Sequence, residues 1–115
     1  MIKTVGLLTR KSGWTHEQFI AWWRGEHAEL TVRLPGLRRW QHTEVESAFE
    51  PRSEGWDGLS VLSFDSREDL QAALASPQWQ AAVEQVGDMR GRRIALLGPE
   101  AELFTAATTQ APAAR

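Results

Sequence analysis

Three histidines, at positions 16, 27 and 42, are the residues of this sequence best suited to proton transfer. Histidine titrates near pH 6.5, so it can give or take a proton under physiological conditions. His27 has the strongest claim, because a turn of 100° per residue places it on an apolar helical stripe, one turn after Trp23. The pattern leaves two interpretations of His27 open: a general acid or base, or a hydrogen-bonded structural residue.

Two further polar residues are weaker candidates. His42 follows Trp40 by two residues and shares its face of a predicted strand. It is either a second proton donor or, the favoured interpretation, a solvated strand residue. Asp57 precedes Gly58 and either orients His27 or binds a ligand hydroxyl, or it closes a turn, which is favoured. His16, in the first helical turn, is expected to be exposed and is assigned no role.

The aromatic composition is unusual, with six Trp, four Phe and no Tyr. Large aromatic side chains either line a pocket for a flat apolar ligand or fill the core and an interface between subunits. We assign Trp40 to the pocket. The complete predicted substrate-binding set is Trp23, Trp40, His42, Asp57, Phe64 and Trp79.

Several classes of protein are excluded or disfavoured. The absence of cysteine rules out thiolate catalysis and cysteine-bound metals, and no HxxxH or HxH spacing occurs, so no metal site is expected. There is no GxGxxG, Walker or GxSxG motif. A net charge of −2 argues against a nucleic-acid partner. No apolar run approaches the roughly 20 residues of a membrane helix, and no signal-peptide pattern is seen, so a cytoplasmic protein is expected.

The elements that must position these residues alternate along one domain, residues 1–104, followed by a tail, 105–115, that is expected to be disordered. Thr15-x-x-Gln18 predicts a capping box at the start of the first helix. The predicted strands are 2–10, 37–46, 56–64 and 94–97, and the predicted helices are 15–30, 66–76 and 77–86.

This order predicts an α+β chain of the ferredoxin-like split βαβ class, with a four-stranded antiparallel sheet and helices on one face. Such a sheet leaves its second face bare. Because two copies can cover such faces with twofold symmetry, a homodimer through the sheet face is expected.

The chain resembles the EthD family of the dimeric α+β barrel superfamily over roughly residues 1–104. Trp23-x-x-x-His27 followed by Leu34-Pro35-Gly36-Leu37 is the most specific part of the likeness, and Asp57-Gly58 and Phe64-Asp65-Ser66 support it. The resemblance implies a dimeric α+β barrel with a small pocket between sheet and helices in each protomer. It also implies that neither a metal nor an organic cofactor is used.

The family includes proteins linked to ether degradation, polyketide dehydratases and methylmuconolactone methylisomerases. Its pocket histidine falls on His27, and an aromatic that is usually tyrosine falls on Trp40. An indole cannot ionise as a phenol can, although its N–H still donates a hydrogen bond. If the family's chemistry depends on that hydroxyl, this protein works differently or relies on His27 alone.

Three functions stay open on these grounds. The first is a cofactor-independent enzyme, a lyase or isomerase ahead of a monooxygenase, with His27 as the acid–base group and a small hydrophobic, aromatic, lactone or polyketide-like metabolite as substrate. The second is an accessory protein that binds such a metabolite without turnover. The third is a structural dimer module whose pocket is filled by its own tryptophans, since fold alone does not license function.

Overall fold

A single antiparallel sheet organises the molecule. The computed structural model describes residues 1–87 and 93–107. The four strands follow the spatial order β2-β3-β1-β4, which confirms the predicted ferredoxin-like arrangement. The strands are β1 (Ile2–Leu8), β2 (Leu37–Glu44), β3 (Gly58–Phe64) and β4 (Arg93–Pro99). Residues 108–115 of the predicted tail lie outside the described ranges.

The helical segments begin where the sequence supplies caps. Thr15 accepts a hydrogen bond from the Gln18 backbone N–H, and the Gln18 side chain accepts one from the Thr15 N–H, so the predicted capping box is present. Ser66 and Ser76 cap the later helices with a single side-chain bond each, accepting from the backbone N–H of Asp69 and of Trp79. The helices are α1 (His16–Trp22), α2 (Ala28–Thr31), α3 (Arg67–Leu74) and α4 (Pro77–Val86), with a short 3₁₀ turn at Pro51–Ser53.

The first helical segment departs from the predicted continuous α-helix. A five-residue π-helical turn, Trp23–His27, joins α1 to α2. Trp23 and His27 are both buried, whereas Glu26, which the regular helical repeat placed on or beside the apolar stripe, is exposed. A hydrophobic pattern analysed at 3.6 residues per turn does not reveal where the helix widens. Turns of the π type occur often at functional sites.

The two faces of the sheet differ in their cover. The helices cover one face, where the buried side chains form two neighbouring clusters. One contains Ile2, Leu34, Leu62, Phe64, Leu70 and Ala73, and the other contains Leu8, Phe19, Ile20, Trp23 and Val86. The opposite face carries Val5, which pairs with Val61 on one side and with Leu96 on the other. Leu96 is 67% exposed and Val5 is 37% exposed.

Candidate active site

A cavity of about 180 Å³ lies between the helices and the sheet. Its apolar lining includes Leu8, Trp23, Leu62, Trp79, Val83 and Val86. Four polar side chains interrupt this lining: Thr4, His27, Thr31 and Ser60. A largely apolar cavity with a few polar groups is the usual form of a small-molecule site.

His27 lies at the end of the π turn and is 7% exposed. Its Nδ1 lies 3.0 Å from Oε1 of Gln85 on α4. An amide oxygen only accepts, so Nδ1 carries the hydrogen and Nε2 is left with its lone pair. Burial lowers the pKa of His27, and the Gln85 hydrogen bond opposes this shift only in part. The imidazole is therefore neutral at pH 7 and can act as a base.

Aromatic rings hold the His27 imidazole in place. Trp22 stacks on it, with ring centroids 4.7 Å apart and planes 25° from parallel. Trp23 contacts it at 4.7 Å and 52°. The Thr31 hydroxyl donates to the His27 carbonyl oxygen at 3.0 Å, which braces the backbone. Packing and hydrogen bonds thus position His27 before any ligand arrives.

Trp40 reaches the cavity through another residue. It is half-buried, packs against both core clusters and is not among the residues that line the cavity. Its indole Nε1–H donates a 2.7 Å hydrogen bond to Oγ of Ser60, which does line the cavity. Trp40, which the sequence analysis assigned to the pocket, thus lies one side chain behind the lining.

His42 is packed against Trp23, with ring centroids 4.9 Å apart and planes 16° from parallel. Both ring nitrogens are buried and have no hydrogen-bond partner within the described part of the chain. Burial, with a smaller contribution from the Arg24 charge, lowers the pKa of His42 to about 4. The favoured prediction of a solvated strand residue is wrong, because alternation gives the face of a strand residue but not what covers that face.

Asp57 belongs to a different cluster. It is 2% exposed and accepts hydrogen bonds from the Arg10 backbone N–H at 2.7 Å and from Nδ1 of His16 at 2.7 Å. The Arg10 guanidinium lies 2.9 Å from the same carboxylate, and Nε2 of His16 lies 3.1 Å from Glu44. Asp57 thus pairs with His16 and not with His27, and neither residue of that pair lines the cavity.

The carboxylates control the protonation of this second cluster. The hydrogen bond to Asp57 is the main cause of a raised His16 pKa, and desolvation opposes it. The pKa of Asp57 is lowered, because bonds from His16 and Arg10 together outweigh the effect of burial. The expectation that His16 is exposed and without a role is wrong, because its side chain is only 21% exposed and bridges two acids.

The predicted site residues therefore separate into groups. His27, Trp23 and Trp79 line one cavity, while Trp40 and His42 pack beside it. Phe64 is 0% exposed in the core, and Asp57 lies in the His16 cluster.

The hydrogen-bond partners of Trp40 and His27, Ser60 and Gln85, were not predicted from the sequence. Ser60 alternates with Leu62 on one face of β3, a signal that could have found it. Gln85 precedes the buried Val86 on α4, and nothing in its helical position distinguishes it from a surface glutamine.

Within residues 1–87 and 93–107, no group of three or more His, Asp or Glu side chains could hold a metal ion. In the same part of the chain no helix is long and apolar enough to cross a bilayer.

The part of the chain that forms this site is similar to a known protein family. An EthD domain matches residues 11–89, more than half of the 115-residue chain. The chain belongs to the EthD family. The match spans the capped first helix, the π turn, the cavity histidine and all of α4.

Solved structures share the fold of this EthD protein at low identity. An EthD family protein from Bacillus halodurans is 22% identical, with a TM-score of 0.74 over 88% of this chain and 99% of its own. The hydroxynitrile lyase of Passiflora edulis is 18% identical, with a TM-score of 0.72 over 90% and 96%. A dimeric ferredoxin-like protein of unknown function from Thermobifida fusca is 18% identical, with a TM-score of 0.64 over 84% and 88%. No curated protein matches the chain significantly.

Proposed function

We propose that this EthD protein is a cofactor-independent enzyme in which His27 acts as the general acid–base group on a small, mainly apolar metabolite. One observation carries the proposal: a buried imidazole, anchored through Nδ1 to Gln85, lines a largely apolar cavity whose surroundings favour its neutral form. A neutral histidine in an apolar site is a suitable base at physiological pH.

The size of the cavity sets the scale of the substrate. An apolar cavity of about 150 Å³ in another protein binds benzene, so about 180 Å³ suits a ring-sized molecule. An aromatic, a small lactone or a single ring of polyketide type meets this limit. Such a molecule is held by burial of its apolar surface, and one or two polar atoms can meet the hydroxyl groups of the lining.

The proposed step is abstraction of a proton from carbon beside a carbonyl group. Nε2 of His27 takes the proton, the C–H electron pair forms a C=C bond, and the carbonyl electrons move to oxygen. Where a further C=C bond of the substrate is conjugated with the enolate, return of the proton to the far carbon of that bond re-forms the carbonyl and completes an isomerisation. Loss of a leaving group from the neighbouring carbon, protonated by the His27 imidazolium, completes an elimination. The lyase or isomerase class therefore needs only the base described above, and it ranks ahead of oxygenation.

The test uses cyclohexanone as a ring-sized probe and follows exchange of its α-hydrogens in D₂O by NMR. The His27→Gln variant keeps a polar side chain but removes the base, and we expect exchange to fall by roughly 10²–10⁴-fold. The control is His16→Gln, which removes a histidine that does not line the cavity, and exchange should persist. Binding of cyclohexanone without any exchange would favour a non-catalytic binding protein. Equal exchange by the wild type and His27→Gln would contradict the proposed role of His27.

We further propose that two copies of the chain pair through the open sheet face. Val5, Val61 and Leu96 form an apolar patch there, and the fold is shared with a protein described as dimeric. Leu96→Glu is expected to produce monomers in light scattering coupled to gel filtration. Val32→Glu makes the same change at a 61% exposed position at the end of α2 and should leave the dimer intact. A wild-type monomer would refute the pairing.

A further inference from the structure

Ser60 occupies a central place in the floor of the cavity. In the strand register it lies between Gly6 of β1 and His42 of β2, on the face that the helices cover. Gly6 has no side chain and also lines the cavity, so nothing on β1 shields the serine hydroxyl from that direction. Ser60 is thus one of the four polar side chains of the lining, and it lies on the sheet.

The hydrogen bond between Trp40 and Ser60 leaves the hydroxyl hydrogen of Ser60 free. The indole N–H of Trp40 can only donate, so Oγ of Ser60 is the acceptor in their 2.7 Å hydrogen bond. The hydroxyl hydrogen of Ser60 has no acceptor within the described part of the chain. Thr31, another hydroxyl of the lining, already donates to the His27 carbonyl. Ser60 therefore has an unused donor that borders the cavity.

We propose that Ser60 donates this hydrogen bond to an oxygen atom of the substrate, and that Trp40 is the positioning residue that aims and strengthens it. The inference rests on the proposed function, because it places the two ends of one substrate: the acidic C–H at His27 and the carbonyl or hydroxyl oxygen at Ser60. The substrate class narrows accordingly to ring-sized molecules that carry an oxygen acceptor.

Two physical effects support the role of Trp40. Its N–H fixes the rotamer of Ser60, because it occupies one lone pair of Oγ and leaves the hydroxyl hydrogen to point elsewhere. It also polarises the hydroxyl, since a group that accepts one hydrogen bond becomes a better donor in the next. When the C–H bond breaks, negative charge develops on the substrate oxygen, and a positioned donor there stabilises the enolate.

The experiment compares two probes of similar size, phenol and toluene, which differ in one oxygen. Binding is followed by the indole N–H resonances of the protein in NMR titrations, and the measured quantity is the ratio of the two dissociation constants. The wild type should favour phenol, and Ser60→Ala should reduce that preference by about three- to tenfold, the value of one neutral hydrogen bond. Trp40→Phe, which keeps a ring but removes the N–H, should reduce it in the same direction by a smaller factor.

A matched control lies on the same strand. Ser63→Ala makes the same substitution at a fully buried serine that faces away from the cavity, and the phenol preference should not change. An unchanged preference in Ser60→Ala, or no measurable binding of either probe to the wild type, would overturn the inference.

The binding test of Ser60 and the exchange test of His27 can fail independently of each other. A phenol preference that depends on Ser60, in a protein that exchanges no cyclohexanone hydrogens, would support oxygen binding and refute catalysis by His27. Hydrogen exchange that depends on His27, together with a phenol-to-toluene ratio that does not change in Ser60→Ala, would support catalysis by His27 and refute oxygen binding by Ser60. In the Ser60→Ala variant we also expect slower cyclohexanone exchange, because the enolate oxygen loses its donor.

Discussion

Two histidines at opposite ends of one helical segment experience opposite surroundings. His27 is buried among tryptophans and bonds to a neutral amide, and its pKa is lowered. His16 lies between the carboxylates of Asp57 and Glu44, and its pKa is raised. The surroundings therefore favour the neutral form of the imidazole at one end and the charged form at the other.

The difference between the two histidines shows that the side chains around an imidazole set its pKa. Desolvation penalises the charged imidazole, and a nearby carboxylate favours it. The His16 cluster ties the start of α1 to β2 and to the residue before β3, so it acts on stability. Within residues 1–87 and 93–107, no ion pair involves a side chain that lines the His27 cavity, so the Ser60 hydroxyl hydrogen remains available to a ligand.

The largest expected effect comes from breaking the charged cluster. Asp57→Ala should lower the free energy of unfolding by about 3 kcal/mol, because it removes the buried acceptor shared by Arg10 and His16. Urea denaturation at pH 7 measures this change. The control, Asp65→Ala, removes an exposed carboxylate paired with Arg38 at 3.6 Å and should cost less than about 1 kcal/mol. Equal losses in the two variants would contradict the assigned role of Asp57.

The next largest effect is expected from a substitution that gives His27 a carboxylate partner like that of His16. Gln85→Glu places a carboxylate on Nδ1 of His27 and should raise the pKa of the imidazole, as Asp57 does for His16. A base works when deprotonated, so the rise of cyclohexanone exchange with pH should move upward by about 1–2 pH units from a midpoint below 6.5. Gln80→Glu makes the same change at an exposed position of α4 and should leave the profile in place. An unshifted Gln85→Glu profile would argue that this contact does not form in solution.

The smallest effect concerns the protonation of His16. Because its folded pKa is raised above 6.5, its stabilising contribution is complete below pH 6.5 and disappears as the pH rises through the folded value. His16→Gln should therefore cost about 0.5–1 kcal/mol at pH 6 and almost nothing at pH 9. Urea denaturation of both proteins at the two pH values measures the difference. If His16→Gln lowered the free energy of unfolding more at pH 9 than at pH 6, the assignment of His16 as the charged partner would be wrong.

Much of the fold was predictable, because its signals are local. The capping residues Thr15, Ser66 and Ser76 mark helix starts within the sequence itself, and the alternation of strands and helices gives the topology. The ends of the strands were predicted less accurately. The first strand was predicted to reach residue 10, but its pairing with β3 and β4 ends at Leu8.

The candidate site was predictable only in part. His27 lies on the helix that carries the apolar stripe, so its burial follows from the pattern. Its partner Gln85 lies 58 residues away, and the Asp57–His16 contact joins residues 41 apart. Contacts of this kind depend on how helices pack on the sheet, which local spacing does not record. The family resemblance implied a role for His27 but did not reveal the hydrogen bond from Trp40 to Ser60.

The π turn at Trp23–His27 makes the placement of His27 depend on chain length as well as on residue type. A wider turn accommodates an extra residue, and removal of one residue from it would return the segment to the ordinary helical pitch. Everything beyond the deletion would keep about the same orientation around the helix axis, because five residues of the wider turn cover about the angle that four residues of an α-helix cover. A relative with a one-residue gap within the turn would therefore present the residues after it to the cavity as this chain does. An alignment that placed the gap elsewhere in the helical segment would match residues that do not occupy the same place in space.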